Sequence, residues 1–256
     1  MDQEHLVRST FNPESLAKDE MNWDAYAEHY DLMCDLNPAY QENINLLLNR
    51  IPLWDLPPNA NICDIGAGTG NYIAALHSRL PDANFYHIDF DTRMNELARA
   101  KYARRGITQV RIIEEHILKV EIPAGSLNLI LCVNSIYAVN PQMAVLERAR
   151  HWLSPNGRLF AIDFGRKQRT LDWAVYLFRE SMKSKQVGRY AKGLLEGREV
   201  MRQNRQSTKG QSTGRYWLHS TQEFGDSLMR AGFIVDELAS CYRDYADMAV
   251  CRVQPD

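Results

Sequence analysis

Cysteine is scarce in this chain. Its five cysteines (Cys34, Cys63, Cys132, Cys241 and Cys251) are odd in number and include no C-x-x-C pair, which argues against a disulfide framework and fits a reducing, cytoplasmic setting. No H-E-x-x-H and no Cys/His cluster occurs, so no metal is expected. Charge of one sign is lacking too. Thirty Lys/Arg stand against 32 Asp/Glu for a net charge of -2, so no overall field draws the molecule onto nucleic acid. The opening MDQEHLVRST is polar, and no apolar run approaches the ~20 residues of a bilayer crossing, so neither signal peptide nor membrane span is expected. What is present is ordinary: 256 residues, 45% hydrophobic and 24% charged, suit one large folded domain with an insertion, or two small ones.

Residues 21 to 51 show two helix-like stretches broken at Asn37-Pro38, with Ile44, Leu47, Leu48 and Ile51 spaced by threes and fours, and residues 1–56 read as a helical N-terminal cover. After Pro57-Pro58 the apolar run 61–65 reads as a strand that ends in a glycine cluster. Helices then follow over 71–80, 92–105 and 141–153, with strands at 84–88, 109–114, 127–133 and 157–163. Asp91 is the expected N-cap of the second helix, and Met94, Leu97, Ala98 and Tyr102 its buried stripe. Ser220-x-x-Glu223 forms a capping box before a helix to about Arg230, and strands near 233–238 and 246–253 close the chain. This alternation implies parallel βαβ units in an α/β, doubly wound, mostly parallel sheet. Residues 57–165 and 216–256 form its core. Residues 166–215 interrupt it with 13 Lys/Arg against four Asp/Glu, a balance of +9 that leaves the remainder at -11; they read as a basic helical insertion.

Asp64-Ile65-Gly66-Ala67-Gly68-Thr69-Gly70 lies between a strand and a helix. Glycines there permit a sharp turn and close approach to a ligand, and the helix start favours an anionic group. No lysine follows Gly70, and Asn71 stands where a dinucleotide fingerprint needs glycine, so ATP and NAD both lose ground. G-x-G-x-G preceded by Asp64 resembles motif I of the class I S-adenosylmethionine-dependent methyltransferases. The resemblance continues through Asp89, which closes the strand Tyr86-His87-Ile88-Asp89, through the block 127–134, and through the turn Ser154-Pro155-Asn156-Gly157. It implies a seven-stranded sheet with a reversed terminal strand and S-adenosylmethionine as cofactor. Asp64, Gly66, Ala67, Gly68 and Gly70 would cradle the cofactor's amino-acid end, Asp89 its ribose hydroxyls, and Phe90, Met94, His116, Ile117 and Asn134 the remainder.

Here His116-Ile117 stand where the family usually has an adenine-binding aspartate. Histidine accepts a hydrogen bond only when neutral and in the right tautomer. Glu114 or Glu115 could take the role, or the Ile117 backbone N–H could meet the ring while His116 lies exposed. Tyr30, four residues after Tyr26, either closes over the cofactor or packs in the core. On the acceptor side, Asp163 orients an acceptor or caps a turn, Tyr137 positions substrate or packs, and His219 is a general base or a surface residue before the capping box. Trp173, Tyr176, Phe178, Tyr190 and Trp217 could wall a pocket in the insertion, with Arg179 or Arg198 pairing an anion; Arg198, Arg202 and Arg205 share a face if they are helical.

The expectation is methyl transfer to an oxygen or nitrogen of a small, partly apolar acceptor that could be anionic. RNA methylation and a non-catalytic binding module are the alternatives. A sulfonium methyl is already activated, so the protein must mainly align the partners and exclude water. The expected partner is a small-molecule methyl acceptor, nucleic acid is not expected, and a homodimer is compatible with this reading.

Overall fold

The computed structural model describes residues 23–184, 188 and 215–253. Seven strands form one sheet in the order β3-β2-β1-β4-β5-β7-β6: β1 (Asn61–Ile65), β2 (Asn84–Asp89), β3 (Val110–Glu114), β4 (Leu127–Val133), β5 (Leu153–Phe164), β6 (Phe233–Cys241) and β7 (Ala246–Val253). The first five pair in parallel, and β7 runs antiparallel to both β5 and β6. The reversed strand therefore lies inside the sheet and not at its edge. Residues 62–65 and 129–133 are buried, as strands covered on both faces require.

Two apolar clusters sandwich the sheet. On one side α1 (Trp23–Leu36), α2 (Pro38–Leu48), α3 (Asn71–His77) and α4 (Thr92–Arg105) bring Tyr40, Leu47, Ile73, Leu76, Ala98 and Tyr102 against Leu129, Leu131, Phe160 and Ile162. On the other, α5 (Gln142–Trp152) and α7 (Thr221–Arg230) set Leu146, Trp152, Phe224 and Leu228 on Ile130, Cys132, Leu159 and Ala161. A further helix, α6 (Thr170–Lys183), follows β5.

Local chemistry explains the boundaries. Asn37 caps α2 by accepting the Ala39 N–H at 3.1 Å, with Pro38 in the first turn. Asp91 caps α4 through the Met94 N–H at 2.8 Å. The Ser220–Glu223 capping box closes reciprocally. The Asn128 side chain accepts the Asn61 N–H at 2.8 Å and so ties the start of β4 to that of β1.

Four expectations need correction. The first helix after the glycine loop stops at His77, three residues early. β5 begins at Leu153, where it pairs with Leu127 ahead of a register shift. On α4 Leu97 is only partly buried, whereas Asn95 and Lys101 are enclosed. Phe178 is 62% exposed and faces outward among the described residues. Tyr190, Arg198, Arg202 and Arg205 lie outside the described residues.

Candidate active site

The glycine loop joins β1 to α3 at the carboxyl edge of the sheet. Gly66, Gly68 and Gly70 have φ of 71°, 55° and 77°, left-handed values that glycine adopts without steric cost. At Gly66 a Cβ would stand 2.5 Å from the Ser135 Cβ, and at Gly70 it would run into the Tyr102 phenol, whose hydroxyl bonds to His87 Nδ1 at 2.8 Å. The loop lies across the end of β2: the Gly66 and Ala67 N–H groups donate to the Ile88 carbonyl, and the Gly68 N–H donates to Asp89 Oδ2 at 2.8 Å.

A crevice opens beside the loop, lined by Tyr30, Tyr40, Asp64, Gly66, Ala67, Gly68, Asn71, Tyr72, Val133 and Asn134. The sequence-predicted Tyr30, Asp64, Gly66, Ala67, Gly68 and Asn134 thus come together. Tyr40, Asn71 and Tyr72 were not foreseen; their aromatic and amide character carries no distinguishing spacing. Tyr40 stands edge-on between Tyr30 and Tyr72, with centroids at 6.4 and 6.0 Å. Several buried polar atoms here have no hydrogen-bond partner, among them Asp64 Oδ2, the Tyr72 hydroxyl, Asn134 Oδ1 and Ser135 Oγ. Orphaned groups of this kind each cost roughly 1–3 kcal/mol unless a ligand or water meets them.

Burial, then the neighbouring Asp89 charge, pushes the Asp64 carboxyl up to about 8. Burial also raises Asp89 to about 6, against the lowering effect of its backbone hydrogen bonds. Asp89 Oδ1 accepts the Asp91 N–H at 3.0 Å and Oδ2 the Gly68 N–H. Each oxygen can accept a second hydrogen bond. Phe90 is 57% exposed just beyond, its ring centroid 6.3 Å from that of His116. Met94 is buried behind Gly68.

His116 caps the short 3-10 turn Ile117–Lys119 by accepting the Leu118 N–H on Nδ1 at 3.3 Å. A neutral ring in that tautomer carries its proton on Nε2 and so donates there. Burial lowers its pKa, with Lys119 adding to the effect. The ring therefore does not replace the carboxylate of the family like for like. Glu114 accepts the Thr92 Oγ1 hydrogen at 2.7 Å and pairs with Arg99. Glu115 accepts the His116 N–H, and Ile117 is buried in the second apolar cluster.

The cover is fastened to the loop by a buried cation. Lys101 Nζ donates to Asp31 Oδ1 at 2.8 Å, to Thr69 Oγ1 at 3.1 Å and to Asn71 Oδ1, while Thr69 Oγ1 donates to Asp31 at 2.6 Å. The sequence held one signal for this: Lys101 falls seven residues after Met94, on the buried stripe of α4.

Tyr137, Asp163 and His219 stand apart from the crevice lining. Tyr137 is buried edge-on between Phe164 and Tyr216, at 5.6 and 5.2 Å. Asp163 and His219 have fully enclosed side chains, with His219 Nε2 3.8 Å from Asp163 Oδ2 and Nδ1 3.4 Å from Asp247 Oδ2. His219 is thus no surface residue; it lies between Trp217 and Phe224, whose centroids are 4.4 and 4.8 Å away. Burial opposes its charge, but the carboxylates of Asp163 and Asp247 beside it outweigh burial and lift it to about 9. Burial raises Asp163. Asp247 is lowered: burial opposes the shift, but His219, Thr221 and Arg166 outweigh it.

Beyond Phe164 an aromatic chain runs through Tyr242 (5.5 Å) to Trp173 (4.9 Å). The Tyr242 hydroxyl accepts Asn37 Nδ2 at 2.8 Å. Arg243 lies over Trp173 and Tyr176 at 4.7 and 4.2 Å and pairs with Asp172 at 2.9 Å. Tyr242, Arg243 and Asp244 all have left-handed φ, at 49°, 58° and 63°.

Residues 62–157 match the model of a family described as a methyltransferase domain. Over those residues the chain is similar to methyltransferase domains. Over 121 residues, 47% of this chain and 51% of the relative, the chain is 29% identical to demethylmenaquinone methyltransferase of Thermus thermophilus. Over 70 residues, 27% of this chain and 29% of the relative, it is 33% identical to carboxy-S-adenosyl-L-methionine synthase of Campylobacter jejuni. The chain spans about half the length, or less, of these curated relatives. A methyltransferase of Aquifex aeolicus superposes with a TM-score of 0.56 at 16% identity, covering 80% of this chain and 88% of that one. Geranyl diphosphate C-methyltransferase of Streptomyces coelicolor A3(2) superposes with 0.60 at 11% identity, covering 88% and 84%. At such identities the likeness is one of fold. The residues of the crevice fit S-adenosylmethionine on the chain's own features: a glycine cradle that a Cβ would fill, an unpartnered buried carboxylate oxygen for a cationic group, and the Asp89 carboxylate with acceptor capacity to spare.

Proposed function

We propose that the protein transfers the methyl group of S-adenosylmethionine to an oxygen or nitrogen of a small, partly apolar metabolite. One observation carries this reading: the crevice beside the glycine loop is also walled by Tyr30, Tyr40, Tyr72 and Val133, with the unpartnered Tyr72 hydroxyl and Asn134 Oδ1 set among the apolar surfaces. Aromatic walls with a few convergent polar groups suit a compact, mostly apolar ligand. The basic insertion offers positive charge for an acceptor that carries an anion.

The cofactor supplies an electrophilic methyl on a sulfur that leaves as a neutral thioether. The chain's residues hold and enclose. Gly66 and Gly68 let the backbone come close, Asp64 offers a counter-charge, Asp89 accepts hydroxyl protons, and Tyr30 and Tyr40 exclude water from above. Burial holds the Tyr40 and Tyr72 phenols well above their usual pKa, so they act as donors that orient an acceptor. Tyr137, Asp163 and His219 serve in this reading as positioning groups that fix the wall formed by the end of β5.

Titration calorimetry with S-adenosylmethionine tests the cofactor half. Gly66→Ala, which combines a left-handed φ with a clash on Ser135, should weaken binding by more than about tenfold, or 1.4 kcal/mol. Formation of S-adenosylhomocysteine with small phenols, amines and carboxylates as acceptors tests the other half. Unchanged affinity in Gly66→Ala removes the assignment of the loop; no turnover with any small acceptor removes that of the substrate class.

A further inference from the structure

Four apolar side chains of α6 face solvent: Leu171, Val175, Phe178 and Met182 are 83%, 51%, 62% and 56% exposed. Spacings of four, three and four residues put them on one helical face. The opposite face is committed to the body of the fold. Trp173 packs on Tyr242 and Tyr245, Asp172 accepts the Tyr245 hydroxyl at 2.8 Å, and Ser181 is buried. Isolated exposed apolar residues are ordinary, whereas four in a row along one helix mark a surface that something covers.

The charge around the stripe indicates what covers it. Arg179 and Lys183 each follow a stripe residue by one position and so flank the stripe on the same side, and Lys167 and Arg169 precede the helix; all four are exposed. They belong to the segment with a balance of +9 on a chain whose remainder is at -11. A second copy meeting this face about a two-fold axis would set one basic insertion against another, and nucleic acid has no use for an apolar stripe. An apolar face bordered by Lys/Arg suits a helix lying in the plane of an anionic bilayer, with its apolar side chains below the headgroups and its cations at the phosphates. We propose that α6 docks this chain on an anionic membrane surface through Leu171, Val175, Phe178 and Met182.

The test is sedimentation of the full chain with vesicles of phosphatidylcholine containing about 30% phosphatidylglycerol, and with vesicles of phosphatidylcholine alone. The wild type should bind the anionic vesicles at least about tenfold more tightly, with affinity falling as salt rises from about 0.1 to 0.5 M. The double variant Leu171→Gln, Phe178→Gln keeps every charge. It should lose at least about tenfold in vesicle affinity while its thermal melt and its S-adenosylmethionine binding stay unchanged, which separates this proposal from the assignment of the cofactor site. Arg179→Gln with Lys183→Gln should weaken binding and flatten its salt dependence. Three outcomes overturn the proposal: a wild type that stays in the supernatant, as it would if another part of the chain covered the stripe; a Leu171→Gln, Phe178→Gln variant that binds as well as wild type; or a dimer in ultracentrifugation that this variant dissociates and anionic vesicles do not.

Discussion

Asp64 sets the electrostatics of the cofactor crevice. Enclosed at the end of β1, with one oxygen unpartnered and Asp89 nearby, it titrates at about 8. At pH 7 the free protein therefore holds it mainly protonated. A cationic ligand favours its carboxylate, so binding should expel a proton. S-adenosylmethionine affinity should rise with pH up to about 8, and the calorimetric heat at pH 7 should vary with the ionisation enthalpy of the buffer. Asp64→Asn should abolish that variation and weaken binding by about tenfold or more; buffer-dependent heat that persists in the variant would place the proton elsewhere. The sequence made Asp64 and Asp89 legible because both stand at strand ends fixed by the glycine spacing. It did not make Asp163 and His219 legible, because their enclosure comes from Trp217, Phe224 and β7, contacts between segments far apart in the chain. A single side chain looks the same in sequence whether it faces a crevice or a neighbour.

Among the elements, α4 and α6 show what periodicity can and cannot tell. The stripe of α4 is read correctly as buried, yet it carries Lys101, whose ammonium ties α1 to the glycine loop through Asp31 and Thr69. Burial lowers its pKa while Asp31 opposes the shift. Lys101→Met should cost about 1–3 kcal/mol of stability in denaturant unfolding, because Asp31, Thr69 and Asn71 lose their shared donor. It should also raise hydrogen exchange in α1 and weaken cofactor binding several-fold, whereas Lys101→Arg should restore part of each. Loss of stability with no change in α1 exchange would reduce the contact to packing. In α6 the apolar period is equally regular, but its stripe faces outward, and no pattern within one helix says which side meets the body. Element order, the capping residues and six of the seven strand starts (within one residue) were legible because they rest on local chemistry. The start of β5 was not, since Leu153 joins the sheet only through Leu127 on a strand distant in sequence.

For the molecule as a whole, half-buried Arg166 and the buried Asp247, His219 and Asp163 pin the return of the chain from the insertion onto β5 and β7. His219 titrates at about 9 when folded, against about 6.5 in an unfolded chain. Its stabilising contribution is therefore complete below pH ~6.5 and is lost as pH rises through about 9. Unfolding free energy should decline between pH 7 and 9.5 by at most about 1.4 kcal/mol per pH unit, and His219→Gln should flatten that decline. Urea titrations across this range decide it, and an equal slope in the variant would assign the proton to another group. Farther out, the tip between β6 and β7 holds three successive non-glycine residues in left-handed backbone, each at a cost of roughly 1–2 kcal/mol. Contacts with α6 offset that cost, through Arg243 over Trp173 and its pairing with Asp172. Arg166 and Ser240 hold the tip as well, Arg166 Nε donating to the Asp244 carbonyl at 2.7 Å and Ser240 Oγ to Asp244 Oδ1 at 2.5 Å. Because Tyr242 also bonds to Asn37, the N-cap of α2, the tip ties α6 to the helix that brings Tyr40 to the crevice.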